Sequence, residues 1–210
     1  MSKIKFIAGF LTLFLLGNLH AQEQELSSEK SVYVKGNALF IPIGIVNLGL
    51  EHQISKKITV QGDVLISPWK SFAGHELQYY SISLEGRYYF NEAFKHWYVG
   101  ANIAGSRFTL QKWNYWNDGL VTDEETGITR KTSDLYQKGY SVILGVTAGY
   151  QFKVSDRWNV DIYGTVGTSQ DFYKGYDRTR GDRYDKAEKF NKSGEIIPYR
   201  GGIMISYKLK

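Results

Sequence analysis

The amino-acid sequence predicts an all-β chain: an eight-stranded antiparallel up-and-down transmembrane β-barrel. Three observations predict it. From residue 32 onward apolar residues recur at every second position, the period of a strand. The segments between alternating runs sort into short and long. Charged residues recur along the face opposite the large aliphatic ones, which suits a polar lumen and a lipid-facing exterior.

The cleanest alternation lies at 140–154. Tyr140, Val142, Leu144, Val146, Ala148, Tyr150, Phe152 and Val154 share one face. Ser141, Gly145, Thr147, Gly149, Gln151 and Lys153 share the other, with Ile143 the exception. In the last run Tyr199, Gly201, Ile203, Ile205, Tyr207 and Leu209 alternate with Arg200, Gly202, Met204, Ser206, Lys208 and Lys210. The same reading places strands at 32–41, 44–54, 58–66, 77–90, 97–110, 139–153, 158–170 and 197–209. A tilted strand needs about 9–11 residues to cross a bilayer, and most of these reach that length. Pro42 cannot donate to a ladder and marks a turn.

The connections at 42–43, 55–57, 91–96 and 155–157 are short, 67–76 is intermediate, and 111–138 and 171–196 are long. Outer-membrane barrels have short periplasmic turns and longer outer loops. Both termini are therefore expected in the periplasm. Val60, Val64, Ile82, Leu84, Val99, Ile103, Val160 and Ile162 are expected to meet lipid. Glu51, Asp63, Glu85, Arg87, Asp161 and Arg200 share the opposite parity and are expected to pair in the lumen, since isolated buried charges are costly. An eight-stranded interior has room for side chains and little else, so the lumen is expected to be plugged. Phe90, Trp97, Phe152, Trp158 and Tyr207 mark an aromatic girdle near the short turns. Trp69, with Phe72, Tyr79, Tyr80, Phe108 and Trp113, marks a second near the other rim.

Residues 1–21 carry Lys3 and Lys5 ahead of an apolar run from Ile4 to Leu16 and a small residue, Ala21. This is the pattern of a secretory signal peptide. A polar leader at 22–31 and the barrel at 32–210 follow. Cysteine is absent, which excludes disulfides, thiolate metal sites and cysteine nucleophiles. The net charge is +5, and the basic residues are spread rather than gathered on one face, so no nucleic-acid partner is expected.

Val46-Asn47-Leu48-Gly49-Leu50-Glu51, Ser67-Pro68-Trp69 and Leu84-Glu85-Gly86-Arg87-Tyr88-Tyr89-Phe90 occur in that order. Gly149-Tyr150-Gln151-Phe152 and Ser155-Asp156-Arg157-Trp158-Asn159 follow. Across about residues 36–210 the chain resembles a domain-of-unknown-function family of small outer-membrane barrels, similar in architecture to the OmpA and OmpX transmembrane domains. The resemblance implies an outer-membrane location and eight strands, and no activity. Some relatives are encoded beside surface-fibre (fimbria-like) genes, which implies an assembly role as an alternative. The chain departs from the terminal aromatic of many such barrels, ending Tyr207-Lys208-Leu209-Lys210.

His52, His75 and His96 fall at different ends of the predicted strands and cannot form one site. His75, beside Glu76 in an outer loop, is the one candidate base for a lipid A-modifying enzyme, but no nucleophile–base–orienter set accompanies it. The six lumen charges read as a salt-bridge network in preference to an ion path. Asp118, Asp123, Glu124 and Glu125 lack the spacing of a calcium loop. Arg178, Arg180, Arg183 and Tyr184 are candidate outer-loop contacts, suited to a protein interface or to lipopolysaccharide phosphates. Arg180-Gly181-Asp182 also spells an integrin-type tripeptide. The sequence thus points to a non-enzymatic outer-membrane barrel without cofactor. Its expected partners are membrane lipid, lipopolysaccharide and a surface or envelope protein, met through loops 111–138 and 171–196.

Overall fold

The computed structural model describes residues 30–185 and 189–210. The expected signal peptide and the leader through residue 29 lie outside the described residues. The strands are β1 (Val32–Asn37), β2 (Val46–Gln53), β3 (Ile58–Phe72), β4 (His75–Tyr89), β5 (His96–Leu110), β6 (Leu120–Thr122), β7 (Thr129–Lys131), β8 (Leu135–Lys153), β9 (Trp158–Asp177) and β10 (Asn191–Lys208). No α-helix occurs among the described residues. Eight strands pair antiparallel with their neighbours in a closed ring, while β6 and β7 form a separate hairpin between β5 and β8. The ring closes where β10 meets β1, from Tyr33↔Lys208 to Asn37↔Met204.

Serine chemistry sets two of the short turns. Ser155 Oγ accepts from the backbone N–H groups of Arg157 and Trp158. Ser55 Oγ accepts from that of Lys57. Such side-chain bonds stand in for a backbone turn. The third, at 90–95, folds inward. Ala93 N–H donates to the Lys56 carbonyl at 2.7 Å. Phe94 takes a left-handed backbone, φ 67°, and buries its ring 4.4 Å from Tyr33 among Tyr89, Tyr98 and Met204.

At the other rim the strands run further than the alternation predicts. The expected loop at 67–76 contracts to a two-residue turn at Ala73-Gly74, both with positive φ, the geometry a tight hairpin favours. The loop expected at 111–138 ends at residue 134, where β8 begins, and holds the β6–β7 hairpin. The loop expected at 171–196 shrinks to 178–190. Cross-strand ring pairs carry these extensions: Tyr140 stacks on Phe172 at 5.1 Å and Tyr136 on Tyr176 at 5.6 Å. A Cβ at Gly139 would collide with the Phe172–Tyr173 backbone, so the glycine permits the pairing. In contrast β1 stops at Asn37 instead of reaching 41, and the chain makes a 3₁₀ turn at Ile41–Ile43 that begins beside Pro42.

Register shifts twice around the ring, between Trp69 and Phe72 at the β3–β4 turn and at a bulge in β10. Pro198 pairs with Val166 and Arg200 with Thr165, leaving Tyr199 as an extra residue. A bulge re-aims side chains. Tyr199, expected on the exterior face, turns inward with Arg200, and its hydroxyl donates to Asn102 Oδ1. Tyr79 and Phe108, expected in the rim girdle, also face inward and line the interior.

Phe94 fills the short-turn end, and replacing a buried phenyl with a methyl costs about 3–5 kcal/mol. Phe94→Ala is expected to lower the unfolding free energy by that amount. Guanidinium titration followed by tryptophan fluorescence measures it, and an unchanged midpoint would remove the plug from the account.

Candidate functional site

Inward positions of six strands assemble a charge network. Arg87 on β4 is its centre. Its Nε donates to Glu85 at 2.6 Å, and its Nη1 reaches Asp161 at 2.9 Å and Glu51 at 3.2 Å. Lys35 bridges the same two acids, 2.7 Å from Glu51 and 2.6 Å from Asp161. Arg200 pairs with Asp63 at 2.5 Å and approaches Glu85 at 3.5 Å. Three cations thus meet four carboxylates, which come from β2, β3, β4 and β9.

Neutral donors complete the shells. Glu51 accepts from Thr59 at 2.5 Å and Tyr89 at 2.8 Å. Asp161 accepts from Tyr98 at 2.8 Å. Glu85 accepts from Thr147 at 2.9 Å and Asn102 at 3.2 Å. The Arg87 guanidinium also lies 4.6 Å above the Tyr98 ring. Glu51, Glu85 and Asp161 are 0% exposed and Arg87 1%. The interior at their level is filled by side chains.

All six residues expected in the network are interior and connected. Sequence reading missed Lys35, which shares the inward parity of Tyr33 and Asn37. It also missed Tyr89 and Tyr98, whose hydroxyls are the network's phenolic donors. The usable signal was parity, because both tyrosines alternate with outward Tyr88, Trp97 and Val99.

Between the network and the long-loop rim lies a cavity of about 700 Å³. Tyr79, Phe108, Leu65 and Ile143 give it apolar walls, and Phe40 and Ile45 bend in from the first connection. Asp171 and Glu195 supply carboxylates. Asp171 accepts from Ser169 at 2.6 Å and Ser193 at 3.2 Å.

The remaining candidates sit at this rim. His75 opens β4 instead of lying in a loop. Its Nδ1 is 2.8 Å from Gln111 Oε1, and its ring stacks on Trp116 at 4.4 Å. Glu76 pairs with Arg178 at 3.4 Å. Among the described residues, no three His, Asp or Glu side chains converge on a metal-sized site. The four expected loop contacts are drawn into the protein's own structure. Arg180 approaches Asp182 at 3.6 Å, Arg183 pairs with Asp185, and Tyr184 packs over Gly175. Asp182, the acid of the integrin-type tripeptide, is held by both Nη atoms of Arg130, at 2.7 and 3.0 Å. Arg130 also reaches Asp177 at 2.9 Å.

The exterior carries the opposite chemistry. Ile82 is 67% exposed and Val146 66%, within a continuous apolar surface that includes Leu48, Leu84, Ile103 and Ile162. Toward the short turns this surface ends in touching rings. Trp97 meets Tyr150 at 5.2 Å, Tyr150 meets Phe152 at 4.5 Å, and Trp158 meets Tyr207 at 4.8 Å. Phe90 packs on Tyr88 beside them. At the far rim, Trp69 donates its indole N–H to the Ile43 carbonyl at 2.8 Å.

Removing one member of a buried ion cluster strands its partners and costs about 3–5 kcal/mol. Arg87→Met is expected to destabilise the ring by that amount in guanidinium titration. Adding Glu85→Gln is expected to recover part of the loss. A strictly additive double variant would show that the two do not interact.

The Arg130 fork holds the Asp182 carboxyl down at about 2, from an ordinary 3.8. A depressed carboxylate stabilises the fold above its unfolded value, and that contribution fades as pH falls toward its folded one. Amides of Thr179 and Arg180, which bond Asp177 Oδ1 next to this clamp, are expected to keep constant hydrogen-exchange protection from pH 7 to 4. Protection should then decline toward pH 2. In Arg130→Gln it should be low throughout, and equal protection in that variant would sink the clamp.

A search of curated proteins finds no match. Residues 9–209 match the family described as proteins of unknown function (DUF3575), and the chain belongs to that family.

Proposed function

We propose that the ring is a plugged transmembrane barrel of the bacterial outer membrane, non-enzymatic, serving envelope structure or surface attachment. One observation carries the reading: the sidedness is inverted, with ionised groups at the axis and a band of aliphatic surface outside. Water around such an exterior is unfavourable in proportion to its area. Contiguous apolar surface of this extent marks a membrane or protein interface. A ring apolar on every outward strand suits a surrounding solvent better than a single partner. The touching aromatics near the short turns support it, since amphipathic rings favour the membrane–water boundary.

In this reading the short turns and both termini are periplasmic and the long-strand rim faces outward. The filled level around Arg87 blocks conduction, so the work is done at the surface. The contact region for a partner is the hairpin segment 111–134 together with residues 178–190, narrower than the alternation alone suggests.

The chain is expected to fractionate with outer membranes, and an unboiled sample should migrate faster on a detergent gel than a boiled one. A monomer stable in buffer without detergent would overturn the reading.

A further inference from the structure

Four cations stand on four neighbouring strands, on the outward face near the long-strand rim. Arg107 is on β5, Lys138 on β8, Lys174 on β9 and Lys192 on β10. Register fixes their spacing. Lys138 lies directly opposite Lys174. Arg107 is opposite Tyr140, Tyr140 opposite Phe172, and Phe172 opposite Lys192. Arg107 is therefore one diagonal step from Lys138, and Lys192 one diagonal step from Lys174. Directly opposed residues lie about 5 Å apart and diagonal ones about 7–8 Å.

Like charges directly opposite one another destabilise a strand pair. Among the described residues, none of these four cations has a carboxylate within ion-pair distance. The contrast with the rim loop is sharp, because Arg130, Arg178, Arg180 and Arg183 all have acids beside them. Rings occupy the centre of the patch. Tyr140 stacks on Phe172 and meets Phe190 edge-on at 5.7 Å, and Lys174 Nζ lies 5.0 Å from the Phe190 centroid. Toward the middle of the ring the same face becomes apolar at Val142, Leu144 and Ile196.

We infer that this patch binds the phosphorylated headgroup of a lipid. The inference rests on the membrane reading above. A phosphate between Arg107 and Lys138, or between Lys174 and Lys192, supplies a counter-charge that no described carboxylate places within ion-pair distance. Arginine offers phosphate a planar fork and lysine a point charge. The ring cluster lies at the level of the headgroup's uncharged part, and acyl chains follow the Val142–Leu144–Ile196 wall. Free phosphate shares the anionic chemistry but uses neither the rings nor the wall.

The test uses the full chain folded into micelles of a neutral detergent and followed by native mass spectrometry. It is titrated with bisphosphorylated lipid A, with the same lipid stripped of phosphate, and with inorganic phosphate. The phosphorylated lipid is expected to bind at least tenfold more tightly than either alternative. A variant carrying R107Q, K138Q, K174Q and K192Q is expected to lose that preference, and K138R with K174R to keep it. Equal binding of stripped lipid overturns the inference, as does equal binding of inorganic phosphate. So does an unchanged preference in the quadruple variant. Heat-dependent gel mobility of the same samples separates the two levels. A chain that shows the shift and ignores phosphate overturns this inference alone, whereas a chain that never shows it overturns the membrane reading.

Discussion

Arg87 is the group on which the interior depends. It touches acids from β2, β4 and β9, so it ties together strands distant around the ring. Ionised groups tolerate burial only when neighbours replace the water they lose. Here the replacement is a second cation, Lys35, and a shell of hydroxyls and amides, each at an inward position of its own strand. The network therefore demands strict alternation, and alternation in turn sends the aliphatic residues outward. The apolar exterior and the ionic axis are two results of one constraint.

Much of the architecture was legible because a period of two is hard to disguise. The ring strands, the serine turns and the parity of the six charges follow from spacing alone. The strand ends toward the long-loop rim were hidden because polar residues and glycines there read as loop. Gln137, Lys138, Gly139, Lys174 and Gly175 lie in β8 and β9. Aromatic pairs across the ladder hold these segments extended, and which rings face each other is a matter of register, not of local composition. Tyr199 was misplaced for a related reason. One unpaired residue shifts parity, and nothing in Pro198-Tyr199-Arg200 announces which of the three is extra.

The candidate site was legible in its charges and less so in its neutral members. A carboxylate or guanidinium on an alternating strand draws notice because burial without a partner is costly. Tyrosine draws none, since it suits a girdle as readily as an interior. Phe94 was hidden by its place in a short turn, where no periodicity applies. The rim arginines show the converse. Their clustering suggested reach toward another molecule, but Arg180 and Arg183 pair with acids interleaved among them and Arg178 pairs with Glu76.

The shortness of β1 has a consequence for how the cylinder is sealed. Only five residues of β1 face β10, and they join opposite ends of the chain. Loop-closure entropy rises with the length of chain enclosed, so this is the seam with the most entropy to overcome. Lys35 sits in it and reaches both Glu51 and Asp161. Before the seam shuts, those two carboxylates share Arg87 alone and the axis holds surplus negative charge. Docking of β1 delivers the Lys35 ammonium to both carboxylates together with the last ladder of hydrogen bonds, so closure and the lessening of that surplus come in the same step.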